Sequence, residues 1–401
     1  MKALAALSLR YLWSRPLTAA LNLLLLTLGL ASITFVMLVS TQVDRAFERD
    51  LAGIDAVVGA KGSPLQLILA GVFHIDVPPG NIALADAQAL QANPQVAQLI
   101  PLSLGDSYRG FRIVGTTPDY ITHYGAQLAQ GALWAAPMQA VAGAQAARAA
   151  GLVPGVQFVG SHGLGGGGHA HGDTPYTVAG VLAPCGCVLD RLILTASESV
   201  WQVHEKATAV DEEDRKALQA EREITLALIR YKSPLAAVTF PRFVNTTTDM
   251  QAAAPAVEVT RLLRMVGVGT DVLRGFGAVL LLAAALSVFI ALWGAVRERR
   301  ADLALLRMLG ASPARVAALL VCEALWLALL ASVLGLALGH LLTGLVGWLL
   351  QAERSLPLSG WLWVPAVAWV PLAAAGVAMA AALIPALHAR RMDVAQLLNT
   401  R

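Results

Sequence analysis

The sequence predicts an α-helical membrane protein with four transmembrane helices and a mixed α/β (α+β) domain inserted between helices 1 and 2. Three observations predict it. Hydrophobic residues make up 57% of the 401 residues and charged residues only 14%, far from the balance of a soluble domain of this length. Four segments, 17–39, 276–296, 316–348 and 362–386, are apolar over the roughly 20 residues that a hydrocarbon core requires. Between the first two lies a long stretch of ordinary mixed composition, large enough to bury a core of its own.

The chain opens on MKALAALSLRYLWSRP (1–16), where Leu4, Leu7, Tyr11 and Trp13 lie opposite or beside Lys2, Arg10 and Arg15. That pattern fits an interfacial helix on the cytoplasmic face with an aromatic anchor, turned into the first span at Pro16, or an ordinary positive flank. The first span, 17–41, has an apolar run longer than that of a secretion signal, and three more spans follow, so it is read as an uncleaved anchor. Lys2, Arg10 and Arg15 precede it, Arg297, Arg299, Arg300, Arg307 and Arg315 lie between the second and third spans, and Arg390, Arg391 and Arg401 follow the fourth. With four alternating spans these sets share one side, so both termini are expected in the cytoplasm.

The inserted domain, 42–274, is then outside. It holds 17 basic and 21 acidic residues, so the net charge of +3 describes the inner face and gives no reason to expect nucleic acid. Residues 54–58, 111–115, 176–182 and 224–230 read as strands, and 84–92, 138–150 and 197–208 as helices. The acidic run 211–223, DEEDRKALQAERE, reads as an exposed helix. Helical spacing from Pro255 runs without a proline into the second span, so 255–274 is expected to be a stalk continuous with it, able to carry rigid movement.

After the second span, 275–296, the connection 297–315 combines its arginines with Leu303, Leu306 and Met308 at helical spacing, and Gly310, Ser312 and Pro313 supply a stop and a restart. It reads as a short helix along the inner membrane surface, packed on headgroups or docked into another protein. In the third span, 316–350, Ala331, Gly335, Gly339 and Thr343 recur every four residues and line one face with small side chains, for a second subunit or for a neighbouring span. Glu323, just inside the membrane boundary, calls for an arginine of the connection or water as its partner. His340 reads as a hydrogen-bonded packing residue. A short loop, 351–361, leads to the fourth span, 362–387, and the tail 388–401.

The wording of the connection resembles the cytoplasmic coupling helix of FtsX/MacB-like permeases, the family that includes the lipoprotein-releasing LolC and LolE. The residues that carry the resemblance are Glu298, Arg299 and Asp302, then Leu306, Arg307, Met308, Leu309, Gly310 and Ala311. Glu323, twelve residues before Gly335, and the closing PALHARRMDVAQLL extend it, and Val114 to Tyr120 is similar to a turn of the family's outer domains. The resemblance implies a permease subunit in the bacterial inner membrane with a periplasmic domain. Glu298, Arg299, Asp302, Arg307 and Gly310 would couple to an ABC ATPase subunit holding ATP and Mg. A second permease subunit, the same chain or a paralogue, is implied as well.

The stretch SHGLGGGGHAHGD, 161–173, holds His162, His169, His171 and Asp173 among glycines. It reads either as a solvated linker or as a zinc contact, since imidazole and carboxylate suit that ion; family resemblance adds a link to zinc homeostasis and a periplasmic metal- or substrate-binding partner. Cys185 and Cys187 follow in APCGCVLD. They read as buried thiols, soft metal ligands or a reversible redox pair, since one intervening residue makes a disulfide a strained choice. The sequence has no GxxxxGK[ST], HExxH or G-x-S-x-G, so no catalytic residue or bound cofactor is expected in this chain and the ATPase is expected in a separate subunit. The resemblance therefore implies ATP-driven movement carried into the periplasmic domain, in lipoprotein, peptide or zinc-linked export. The alternative is an FtsX-like signalling adaptor that controls a cell-wall hydrolase.

Overall fold

Proline opens three of the long apolar helices, at Pro16, Pro255 and Pro313, where its missing N–H has no intrahelical partner to lose. The computed structural model describes residues 2–163, 174–208, 218, 219, 221–352 and 358–391. They begin with α1 (Lys2–Trp13) and α2 (Pro16–Leu51). There follow β1 (Ala56–Ala60), α3 (Pro64–Gly71), β2 (Ile82–Ala83), α4 (Leu84–Gln91), β3 (Val96–Tyr108), β4 (Phe111–Thr116), α5 (Asp119–His123) and β5 (Leu128–Gly131). Next come β6 (Gln139–Ala142), α6 (Ala144–Ala150), β7 (Gln157–Phe158), β8 (Ser161–His162), β9 (Tyr176–Leu182), β10 (Leu192–Ala196) and α7 (Ser197–Thr208). Then β11 (Glu223–Ile224), β12 (Leu226–Tyr231), α8 (Ala236–Thr247) and β13 (Met250–Ala253) lead to α9 (Pro255–Glu298), α10 (Arg300–Met308), α11 (Pro313–Ala352) and α12 (Trp369–Arg390).

Four helical segments, Pro16–Leu51, Pro255–Glu298, Pro313–Leu350 and Pro365–Arg390, are long and apolar enough to cross a membrane. The chain divides into two compact units, one formed by Met1–Asp44 with Met265–Arg401 and the other by Arg45–Arg264.

In the helical unit the core is built from Leu26 and Leu30 of α2, Val288 and Leu292 of α9, Ala324 and Ala331 of α11, and Ala374, Ala378 and Ala382 of α12. Small residues bring these axes close. Outward, Leu282, Leu286, Ile290, Val333, Leu341, Leu372 and Leu383 are exposed, the all-round apolarity that lipid rather than water accepts. The small-residue stripe of α11 is buried within this chain. A Cβ on Gly335 would stand 2.7 Å from Cβ of Leu30, and one on Gly339 2.6 Å from Cβ of Thr34. Of the two roles the sequence leaves open for the stripe, packing on a neighbouring span is the one seen here: α2 of the same molecule fills it.

The other unit is a mixed sheet in the order β13-β1-β12-β3-β4-β10-β6-β9-β5, with β7 on β9 and β8 on β3; β11 and β2 pair apart from it. Pairing is antiparallel except for β10 with β4 and β6 with β9. Side chains alternate between the two faces of the sheet. Val57, Leu102, Val114, Leu194 and Leu228 face Ile68 and Tyr120, while Val58, Ala227 and Ile229 face Phe240 and Val244.

One expectation of the sequence fails here. Residues 138–150 are not one helix but β6 followed by α6. Alanine favours helix, yet Ala140, Val141 and Ala142 are fully buried, strand β6 lying between β10 and β9. Gly143, between strand and helix, has room only for glycine, because a Cβ there would overlap the Leu189 carbonyl oxygen. The acidic run 211–223, expected to be an exposed helix, falls largely outside the described residues; of those described, Leu218 and Gln219 are helical and Glu223 is in β11, paired with Ala83.

Candidate functional site

The site is assembled around α10. Gly310, at φ 93°, ends that helix in a left-handed turn: Ala311 N–H donates to the Leu306 carbonyl (3.0 Å) and Gly310 N–H to the Arg307 carbonyl (3.1 Å). These paired bonds form a Schellman cap, which satisfies two carbonyls that the helix end would leave open. Ser312 then caps α11, its carbonyl accepting from Val316 N–H at 3.3 Å.

At its start, α10 is held by Arg299. The guanidinium donates from Nη1 to Glu323 Oε1 (2.9 Å), and from Nη2 to the Tyr11 carbonyl (2.9 Å) and Ser14 Oγ (2.7 Å). It also lies over the Tyr11 ring, 4.5 Å from the centroid. The two charged side chains are 14% and 5% exposed, so the pair is desolvated, and two further guanidinium donors are taken up at and just past the end of α1. Beside it, Glu298 forms an ion pair with Arg15. Behind Arg299 and Glu323 is a cavity of about 40 Å³, lined also by Tyr11, Asn22, Val288 and Leu327.

This places the candidate coupling residues in two groups. Glu298 and Arg299 turn inward, toward α1 and α11. Asp302 is exposed, Arg307 half-buried, and Gly310 exposed at the cap. The apolar face of α10 differs from the one spacing implied. Leu303 and Ala304 are buried, while Leu305 is 53%, Met308 52% and Leu309 85% exposed. Three large apolar side chains therefore stand free beside Asp302, at the end of a rigidly capped helix. Tyr11, Ser14 and Arg15 were not singled out from the sequence as members of this site; the signal was present only as an aromatic and a base beside Pro16.

In the sheet unit, His162 belongs to β8 rather than to a loop, paired with the irregular stretch of β3 at Asp106. Its Nδ1 lies 3.1 Å from Oδ1 of Asp106, which is buried. His169, His171 and Asp173 lie outside the described residues. Among the described residues no group of three or more metal-ligating side chains comes together.

Cys185 and Cys187 form a disulfide, Cα to Cα 5.1 Å apart, in place of the buried thiols the sequence favoured. His340 donates from Nδ1 to the Gly360 carbonyl at 2.7 Å and stacks near Trp363. His74 is buried, its Nε2 2.9 Å from the Tyr120 hydroxyl. Burial, then the charges of Arg112 and Arg191, push its pKa well below the ordinary histidine value.

The FtsX-like permease C-terminal profile matches residues 274–394, and the MacB-like periplasmic core domain profile matches residues 19–221, just over half of the chain. Among solved structures the chain is similar to the periplasmic region of MacB from Actinobacillus actinomycetemcomitans, at 14% identity over 53% of this chain and 95% of that one, TM-score 0.35. It is also similar to the extracellular domain of the noncanonic ABC-type transporter YknZ from Gram-positive bacteria, at 12% identity over 50% and 98%, TM-score 0.30. No curated protein matches the chain. The connection that α10 caps lies within the first of these profiles and the mixed sheet largely within the second: the chain belongs to the FtsX/MacB-like family of ABC transporter permeases.

Proposed function

We propose that this chain is the membrane subunit through which a separate ATPase drives movement of the MacB-like periplasmic domain, and that α10 is where the ATPase docks. The observation that carries the proposal is the exposed face of α10: Leu305, Met308 and Leu309 free beside Asp302, on a helix fixed at one end by the Schellman cap and at the other by Arg299. An apolar anchor cluster with a charged rim is the anatomy of a protein interface. A helix held at both ends passes on a push instead of absorbing it.

In this reading α10 faces the cytoplasm of the inner membrane with both termini, consistent with the arginines around it. An ATPase dimer would engage two such helices, so a second permease subunit completes the assembly. ATP and Mg belong to the ATPase, and this chain contributes no catalytic group. Family membership implies an ATPase partner; the docking face is the finer claim.

The experiment is co-purification of the ATPase with Leu305→Glu, Leu309→Glu variants of the permease. Loss of the ATPase with the permease still inserted supports docking on this face, and full retention removes it. Arg299 is unsuitable for this test, because its substitution would also strip Glu323 of its partner.

A further inference from the structure

The Cys185–Cys187 bridge closes a ring around a single residue. Stabilisation of a fold by a disulfide grows with the length of chain enclosed, so this one is a poor staple for the domain as a whole. What it does hold is a short receiving loop. Gly186, exposed and at φ 64°, offers its carbonyl to the Arg49 guanidinium. Val188 N–H donates to Asp50 Oδ1 at 2.9 Å, and the Asp50 carbonyl accepts from the Tyr124 hydroxyl at 2.8 Å. Asp190 shapes the loop from the other side, accepting from Cys185 N–H (3.1 Å) and Gly186 N–H (2.7 Å). Arg49 and Asp50 belong to the last turn of α2, the helix that begins at Pro16. The bridge thus sets the shape of the loop that grips the end of that helix. Of the two sulfur-bearing residues Cys187 is buried, Cys185 is partly exposed and Gly186 between them is exposed, so an attacking thiol has a way in.

We propose that Cys185–Cys187 is a thiol–disulfide exchange site for a dithiol reductant, and that opening it releases the last turn of α2. The reductant's thiolate attacks Cys185 Sγ, and Cys187 leaves as a thiolate and takes up a proton. The second thiol then attacks the mixed disulfide, freeing Cys185, which takes up the second proton. Two electrons pass to the protein and the reductant becomes a disulfide. In the oxidising periplasm the bridge is the resting form, so release requires a dedicated dithiol donor.

The test uses the full chain in detergent with Cys322→Ser, so that thiol labelling reports the pair alone. Treatment with dithiothreitol is expected to expose two alkylatable thiols and to speed backbone hydrogen exchange of residues 46–51 at least tenfold, leaving the central strands β1 and β12 unchanged. Arg49→Ala with Asp50→Ala is expected to exchange at the fast rate in both redox states. Since the wild-type cysteines are reduced in place, the result does not depend on a cysteine variant folding. A bridge that dithiothreitol leaves closed in the folded protein overturns the proposal, as does exchange at 46–51 that is the same in both states.

Discussion

Arg299 Nη1 lies 2.9 Å from Glu323 Oε1, joining the residue that opens α10 to an acid within the apolar helix α11. The same guanidinium holds the Tyr11 carbonyl and Ser14 Oγ, so one side chain ties the end of α1, the start of α10 and α11 together. An arginine has the planar fork for three such partners, and a lysine does not.

Arg299→Ala is therefore expected to destabilise the helical unit by about 3–5 kcal/mol, the cost of leaving one member of a buried pair behind. Arg299→Ala with Glu323→Gln should recover part of it, because no charge is then stranded. Thermal unfolding in detergent measures both. Equal melting temperatures for Arg299→Ala and wild type would show that the cluster holds nothing together.

Gly335→Leu and Gly339→Leu should lower stability without changing oligomeric mass, since the faces they line are filled by Leu30 and Thr34 of the same chain. Overpacking of this kind costs about 1–3 kcal/mol or more. Light scattering beside thermal unfolding separates the outcomes: a fall in mass with an unchanged melting temperature would return the stripe to the subunit interface.

Gly310→Ala is expected to cost about 1 kcal/mol in α10, because the cap needs a left-handed residue. Gly310→Asn should cost less, asparagine being the next best occupant of that conformation. Helix-specific hydrogen exchange at residues 305–308 is the readout, and equal rates in the alanine variant and wild type would count against the cap as a fixed end.

His74 gives the periplasmic domain a pH dependence of known sign. Its pKa is lowered in the folded state by burial, so below its ordinary value of 6.5 the unfolded chain takes up a proton that the folded chain refuses. Stability from this group is whole above that value and falls with pH, by up to about 1.4 kcal/mol per unit. His123, also lowered chiefly by burial, adds in the same direction. A His74→Gln variant should flatten the fall in stability between pH 7 and pH 5, followed by denaturant unfolding of the sheet. A slope as steep in that variant as in the wild type assigns the dependence elsewhere.

Much of this architecture was open to the eye before any coordinates. Apolar length marks the membrane helices, and the crowding of arginines with Gly310 and Pro313 marks a capped helix between two of them. The direction of each arginine was not open. Arg299 and Arg300 are adjacent, and only the fold brings Tyr11 and Ser14 to the first of them. The same limit applies to α10, where spacing grouped Met308 with Leu303 although the helix exposes one and buries the other. In 138–150 composition pointed to helix, and the slot between β10 and β9 overrode it. His162 was read with its glycine neighbours, whereas strand pairing at the irregular stretch of β3 takes it toward Asp106.

The docking of an ATPase on α10 is tested most directly by a photo-crosslinking residue at position 309, the most exposed of its apolar side chains, activated in native membranes. The account predicts a crosslinked product containing an ATPase subunit, weakened when Leu305→Glu is added. A product confined to lipid, with the ATPase still present in the complex, would contradict it.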